Sequence, residues 1–284
     1  MSTGRIGRLW RRSKVTCVGT GILILFGVVT TAAPWLAPYD PAAVPASLLD
    51  KSLLPPGWSH WLGTDLLGRD LLSRILYGAR ISLLVELLVE LVVTPFGVTI
   101  GLFAGYLGGR IDAVLMRITD AVMAFPSLVL AIALTAVFDE PGLTSVLLVL
   151  IAVRWTTVAR LVRGQVLALR EAEYVTAERA LGAGSSRILF RHLLPNCVAP
   201  ILVAMTFGVA SNILAEAGLS FLGLGVQPPV VSWGSLLADG AVYLTIKPWL
   251  TVSPGLAITG TVLGFHLLGD GLRDLLDPRL RAGA

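Results

Sequence analysis

The longest polar stretch between apolar runs is Glu171 to Asn196, EAEYVTAERALGAGSSRILFRHLLPN. Arg154 to Arg191, in or just before it, carries seven of the chain's 22 basic residues. Residues of these types at this spacing suit the docking of a soluble partner rather than the making or breaking of bonds. Tyr174, Ala177 and Leu181 fall at i, i+3 and i+7 on one face of a short amphipathic helix, Glu173 to Leu181, while Glu171, Glu178 and Arg179 point elsewhere. Gly182-Ala183-Gly184 ends that helix, since glycine takes backbone angles that other residues resist. Ser185 or Ser186 is placed to cap a second helix running into Leu194-Pro195. The expected shape is an L-shaped pair of short helices.

The other candidates for catalysis fail on placement. His60, His192 and His266 are too scattered to converge on a metal, and no His-Glu-x-x-His occurs, so no metal site is expected. Ser220 lies in a Gly-rich stretch with no histidine placed to activate it. Asp270, in Leu-Leu-Gly-Asp-Gly, lacks a second acid at matching depth. A phosphate-binding loop needs Gly, four residues, then Gly-Lys-Ser/Thr. The only lysines are Lys14, Lys51 and Lys247, and none follows a glycine. Cys17 and Cys197 are expected to be reduced and structural. The chain is therefore not read as an enzyme.

The elements that must position the polar stretch are membrane helices. Of 284 residues, 55% are hydrophobic and 14% charged, with a mean hydropathy of +0.80; a soluble domain carries about 25% charged residues. Six spans are expected: Val15 to about Ala37, Ile81 to Ala104, about Ala113 to Val137 with a break at Pro126, Leu143 to about Val162, about Cys197 to Gly218, and about Pro248 to Leu268. On this topology seventeen of the 22 basic residues fall on one side, among them Arg5, Arg8, Arg11, Arg12, Arg279 and Arg281. That asymmetry places both termini and the polar stretch in the cytoplasm. It also explains the basic balance without nucleic acid. The fold expected is all-α and polytopic, with the polar stretch between helices four and five. Residues 1–80 form a cytoplasmic tail, first span and external segment, and 81–284 the main transmembrane domain.

The external segment contains HWLGTDLLGRDLLSRILYGAR. From Asp65 its leucines approach helical period, which predicts an amphipathic helix on the membrane surface, with Asp70 and Arg74 paired at i, i+4. Arg117 and Asp120 are expected to pair at i, i+3. Trp58, Trp61, Trp233 and Trp249 read as an aromatic belt. Glu86 and Glu90 stand one turn apart inside span two. A carboxylate at mid-bilayer costs about 2.5–3.5 kcal/mol on insertion scales. Two readings stay open: they line a translocation path and attract an amine, or they pair with a neighbouring subunit or hold protons near the interface.

Glu171–Asn196 resembles the coupling loop of binding-protein-dependent ABC importer permeases, whose pattern is Glu-Ala-Ala, three residues, Gly, nine residues, Ile, one residue, Leu-Pro. Ala177, Gly182, Leu194 and Pro195 match it; Thr176, Glu178 and His192 depart from it. Leu62–Leu83, Ala215–Leu237 and Leu267–Arg281 resemble signatures of the C-type subunit of dipeptide, oligopeptide and nickel importers, although His266 stands where that family shows Asn. The Arg117–Asp120 and Phe125-Pro126-Ser127 pattern also fits. The resemblance implies ATPase coupling through Tyr174, Ala177, Glu178, Gly182, Leu194 and Pro195. It also implies an external signature of Gly63, Thr64, Asp65, Gly68, Arg69, Asp70 and Arg74. The implied partners are a sister permease of B type, two cytoplasmic ATPase subunits that bind ATP and Mg, and an external solute-binding protein. This chain itself needs no cofactor. The implied location is the bacterial plasma membrane and the implied cargo short peptides, with nickel as an alternative. A self-sufficient secondary transporter or channel is the alternative of another class.

Overall fold

The computed structural model describes residues 14–47 and 51–276. The expectations on Arg5, Arg8, Arg11, Arg12, Arg279 and Arg281 lie outside these residues. The described chain is helical: α1 Lys14–Leu36, α2 Leu71–Leu107, α3 Gly109–Met123, α4 Ser127–Thr135, α5 Leu143–Leu169, α6 Glu173–Ala180, α7 Ser185–Phe221, α8 Trp233–Ala241 and α9 Trp249–Leu276. Residues Ile188–Leu193 of α7 take a π-helical winding. Among the described residues, α1, α2, α5, α7 and α9 are long and apolar enough to cross a membrane, and α3 with α4, bent by 84°, can form a sixth span. The bend falls at Pro126, which donates no N–H and leaves the preceding turn without a bond.

Valines of α2 and α5 dominate the core: Val85, Val89 and Val93 meet Val146, Val149, Val158, Val162 and Val166. Gly97, Gly101 and Gly105 set the distance between the two helices. A Cβ on Gly101 would stand 2.5 Å from the Ala159 carbonyl oxygen and 2.8 Å from Val162 Cβ. Small residues four apart let backbones approach in lipid, where van der Waals packing replaces the hydrophobic drive. Val175 of α6 and Ile188 and Leu193 of α7 belong to the same core, so the polar stretch is rooted in the bundle.

Several expectations are corrected. No surface helix runs from Asp65 to Leu76: residues 62–70 are turns, and Leu71 starts α2. The reason is a cap: Asp70 accepts from the Ser73 N–H at 2.8 Å, and α2 then continues unbroken for 37 residues. The Asp70 carboxylate therefore turns away from Arg74 and meets His60 Nδ1 at 2.9 Å, while Arg74 pairs with Asp65. Asp120 does not pair with Arg117. Its partner is Arg160 Nη2 at 2.6 Å, because α3 lies along α5. Trp233 is 1% exposed and its Nε1 donates to the Ile75 carbonyl at 3.0 Å, so it is core and not belt.

Candidate functional site

The polar stretch is one free helix and one that merges with a span, not two short helices. Its elbow is a Schellman turn: Ala183 N–H donates to Glu178 O at 3.0 Å and Gly182 N–H to Arg179 O at 3.1 Å. Gly182 takes φ +81°, a left-handed angle that costs residues with a Cβ energy. The cap of α7 is Gly184, without a side-chain bond, so neither Ser185 nor Ser186 caps it. Pro195 sits at the start of the α-helical part of α7 and offers no N–H to the turn before it. The π winding of Ile188–Leu193 directly precedes it.

The face of α6 that packs inward carries Val175, at 0% exposure. Tyr174, Ala177 and Leu181 point outward, with Leu181 84% exposed. The apolar stripe seen in the sequence is thus the face left open. Asn196 Nδ2 donates to His192 O at 2.6 Å and approaches Tyr174 Oη at 3.5 Å. Although Tyr174 stays 41% exposed, partial desolvation lifts its phenol above the ordinary value, and the charge of a Cys197 thiolate adds to this. Two of the three departures from the importer pattern meet each other: His192 Nε2 lies 3.5 Å from Glu178 Oε1. Glu178 also stands 3.7 Å from Arg187 Nε. Two further contacts tie the elbow to the end of α2: Arg170 Nη1 donates to Gly105 O at 3.0 Å, and the Arg179 guanidinium lies 5.9 Å from the centre of the Tyr106 ring. Arg163 grips Asp112 with two bonds of 2.6 and 2.7 Å, fixing α3 to α5 beside it. Leu194 is half-buried and Pro195 exposed; Leu193 is the residue inside the core.

The signature residues gather at the opposite end of α2, about 50 Å away at 1.5 Å per residue. They wrap the Asp65 carboxylate, which accepts from Leu67 N–H at 2.9 Å, Arg69 N–H at 2.8 Å, Arg69 Nε at 2.7 Å and Arg74. Thr64 Oγ1 donates to Lys51 O at 2.6 Å and accepts from Leu54 N–H at 2.9 Å. Gly63 and Gly68 supply the two left-handed turns, at φ +80° and +71°. Asp239 of α8 stands 3.9 Å from Arg74.

Glu86 and Glu90 lie between these ends, inside the chain's own packing: 0% and 4% exposed. Glu90 accepts from Thr94 Oγ1 and from Asn212 Nδ2 of α7 at 3.4 Å, and Gly208 gives its carboxylate room. Neither oxygen of Glu86 has a donor among the described residues; its charged neighbours are Glu216, Arg154 and Glu90. Arg154 Nη2 donates to Ser211 O at 2.8 Å. Glu216, 1% exposed, accepts from Ser220 Oγ at 2.7 Å and Ser232 Oγ at 2.8 Å. Sequence reasoning missed Glu216 and Arg154 as members of this cluster. The rule that singled out Glu86, an ionisable residue inside an apolar run, marks both. The arrangement offers polar joints between helices, and no group of three or more His, Cys, Asp or Glu placed to hold a metal ion occurs among the described residues.

The model for "binding-protein-dependent transport system inner membrane component" matches residues 97–282, and that for "N-terminal TM domain of oligopeptide transport permease C" matches residues 4–56. A putative peptide transport system permease protein of Brucella suis is 45% identical over 274 residues, covering 96% of this chain and 90% of the relative. The oligopeptide transport system permease protein OppC of Bacillus subtilis is 43% identical over 272 residues, covering 96% and 88%. Among solved structures, the inward-facing MetNI methionine ABC transporter aligns with TM-score 0.58 at 18% identity, over 72% of this chain and 98% of that one. That likeness concerns the fold.

Proposed function

The chain belongs to the binding-protein-dependent transport inner membrane component family, and on that premise we propose that it is the C-type permease of an ATP-driven importer of short peptides. It is a multi-pass inner-membrane protein that works with other subunits of an ABC importer. The partners we assign are a sister permease, two cytoplasmic ATPase subunits holding ATP and Mg, and an external solute-binding protein. The peptide cargo is supported by the names of the relatives. The observation that carries the coupling role is the elbow: Val175, Ile188 and Leu193 root it in the core while Tyr174, Ala177 and Leu181 stay outside. A partner that presses on this face moves α6 and α7 together, because the root leaves no slack. Transport then follows as a switch between two packings of the spans, driven by the partner's different affinity for each.

The test is reconstitution in liposomes. The chain alone should carry no peptide, and the chain with sister permease, ATPases and binding protein should accumulate it only with ATP. Uptake by the chain alone overturns the reading in favour of a secondary transporter or channel. Accumulation of nickel but not peptide by the full assembly overturns the cargo alone.

A further inference from the structure

A cavity of about 1140 Å³ opens at the signature end of the bundle, between α1, the first turns of α2 and the loop at 228–231. Neither the coupling elbow nor the carboxylate cluster uses it. Its body is apolar: Gly27 of α1, Leu83, Leu84 and Leu87 of α2, and Pro229 and Val231 of the loop line it. Leu84 and Leu87 are 48% and 57% exposed on a helix long and apolar enough to cross a membrane, so this part of the cavity offers an open apolar wall. Pro228 and Pro229 give the loop wall no N–H groups that would need water.

The rim is cationic. Arg69, Arg74 and Arg80 border the cavity, and no acidic residue does. Asp65 is shared between Arg69 and Arg74 and Asp239 stands 3.9 Å from Arg74, so two carboxylates face these two guanidinium groups and the excess charge of the rim rests on Arg80. Arg80 has no carboxylate within ion-pair distance among the described residues; its guanidinium rests against the Tyr77 ring, 5.9 Å from the centroid. Leu87 lies seven positions after Arg80, about 10 Å along the helix. An anionic head and an apolar tail therefore have separate, adjoining places.

We propose that this cavity holds an anionic phospholipid, its phosphate on Arg80 and Arg69 and an acyl chain along Leu83, Leu84 and Leu87. The planar guanidinium fork suits phosphate oxygens. A free phosphate ion makes no use of the apolar wall. A zwitterionic lipid brings its own cation beside Arg80, whose charge no neighbouring carboxylate among the described residues offsets. The inference rests on the chain being a membrane protein and is independent of its cargo.

The assembled importer, purified in detergent, is titrated with dioleoyl phosphatidylglycerol or dioleoyl phosphatidylcholine, and bound lipid is counted by native mass spectrometry. Wild type should retain the phosphatidylglycerol about tenfold more than the phosphatidylcholine, because both phosphates can meet the guanidinium but the choline sets a second cation beside it. Arg80→Gln should bring the two near parity. Leu84→Trp, which fills the apolar body, should lower retention of both, and it serves if the arginine variant fails to assemble. Equal retention by wild type overturns the proposal, as does an unchanged preference in Arg80→Gln. Displacement of the lipid by millimolar inorganic phosphate alone reduces the site to an anion site. A thiol cross-link from Leu84→Cys to a neighbouring subunit identifies the cavity as a seam between chains and likewise overturns the proposal.

Discussion

Substitution at Gly182 separates backbone geometry from side-chain contact in the coupling elbow. No atom lies within 4 Å of the place where a Cβ would stand, so a side chain here meets nothing within the chain. The cost comes from φ +81° alone. A left-handed residue with a Cβ costs roughly 1–2 kcal/mol, which corresponds to about 5–30-fold in an equilibrium; a β-branched residue is held less willingly still. Asn tolerates this region. ATP-driven peptide uptake by the reconstituted importer should therefore fall most for Gly182→Val, less for Gly182→Ala and least for Gly182→Asn. Subunit stoichiometry by size-exclusion chromatography should stay unchanged in all three, since Val175, Ile188 and Leu193 hold the root. Wild-type uptake by the valine variant would refute the reasoning. Equal loss in the Asn and Val variants would show that a bare surface, not a backbone angle, is what the partner requires.

The tight contact between α2 and α5 predicts opposite outcomes at two glycines: Gly101→Leu, whose Cβ meets the Ala159 carbonyl at 2.5 Å, should destabilise by about 1–3 kcal/mol. Gly164→Ala, with nothing within 4 Å, should stabilise by about 0.5–1 kcal/mol. Melting temperatures of the purified assembly decide, and shifts of the same sign in both would discard the packing argument. Glu178→Ala and His192→Ile, made singly and together, restore the residues of the importer pattern. The pair is 26% and 20% exposed, so the double-mutant cycle should give a coupling of about 0.2–1 kcal/mol, in the range of exposed ion pairs. A coupling of zero rejects the contact.

Much of the architecture was legible along the chain because a bilayer imposes a one-dimensional rule. Each span must be a long apolar helix with its backbone bonds closed internally, and such runs, with breaks at Pro126 and Gly182, are visible without any knowledge of neighbours. The same rule marked Glu86 and Glu90 as unusual. It left open what they touch, since that depends on how α2 is rotated against α7, where Gly208 and Asn212 receive Glu90.

Partner choice among charges was decided only by tertiary structure. Asp70 with Arg74 and Asp120 with Arg117 satisfy the local helix spacing, yet both acids chose partners elsewhere: His60 for one, Arg160 for the other. The first case follows from a cap that starts α2 ten residues earlier than its apolar run, and the second from the packing of α3 along α5. The orientation of α6 was settled in the same way. Tyr174, Ala177 and Leu181 form an apolar stripe by spacing alone, but Val175 had the core available and took it. A stripe can be read from periodicity; which way it faces depends on what lies beside it, and that neighbour is supplied by residues far away in the chain.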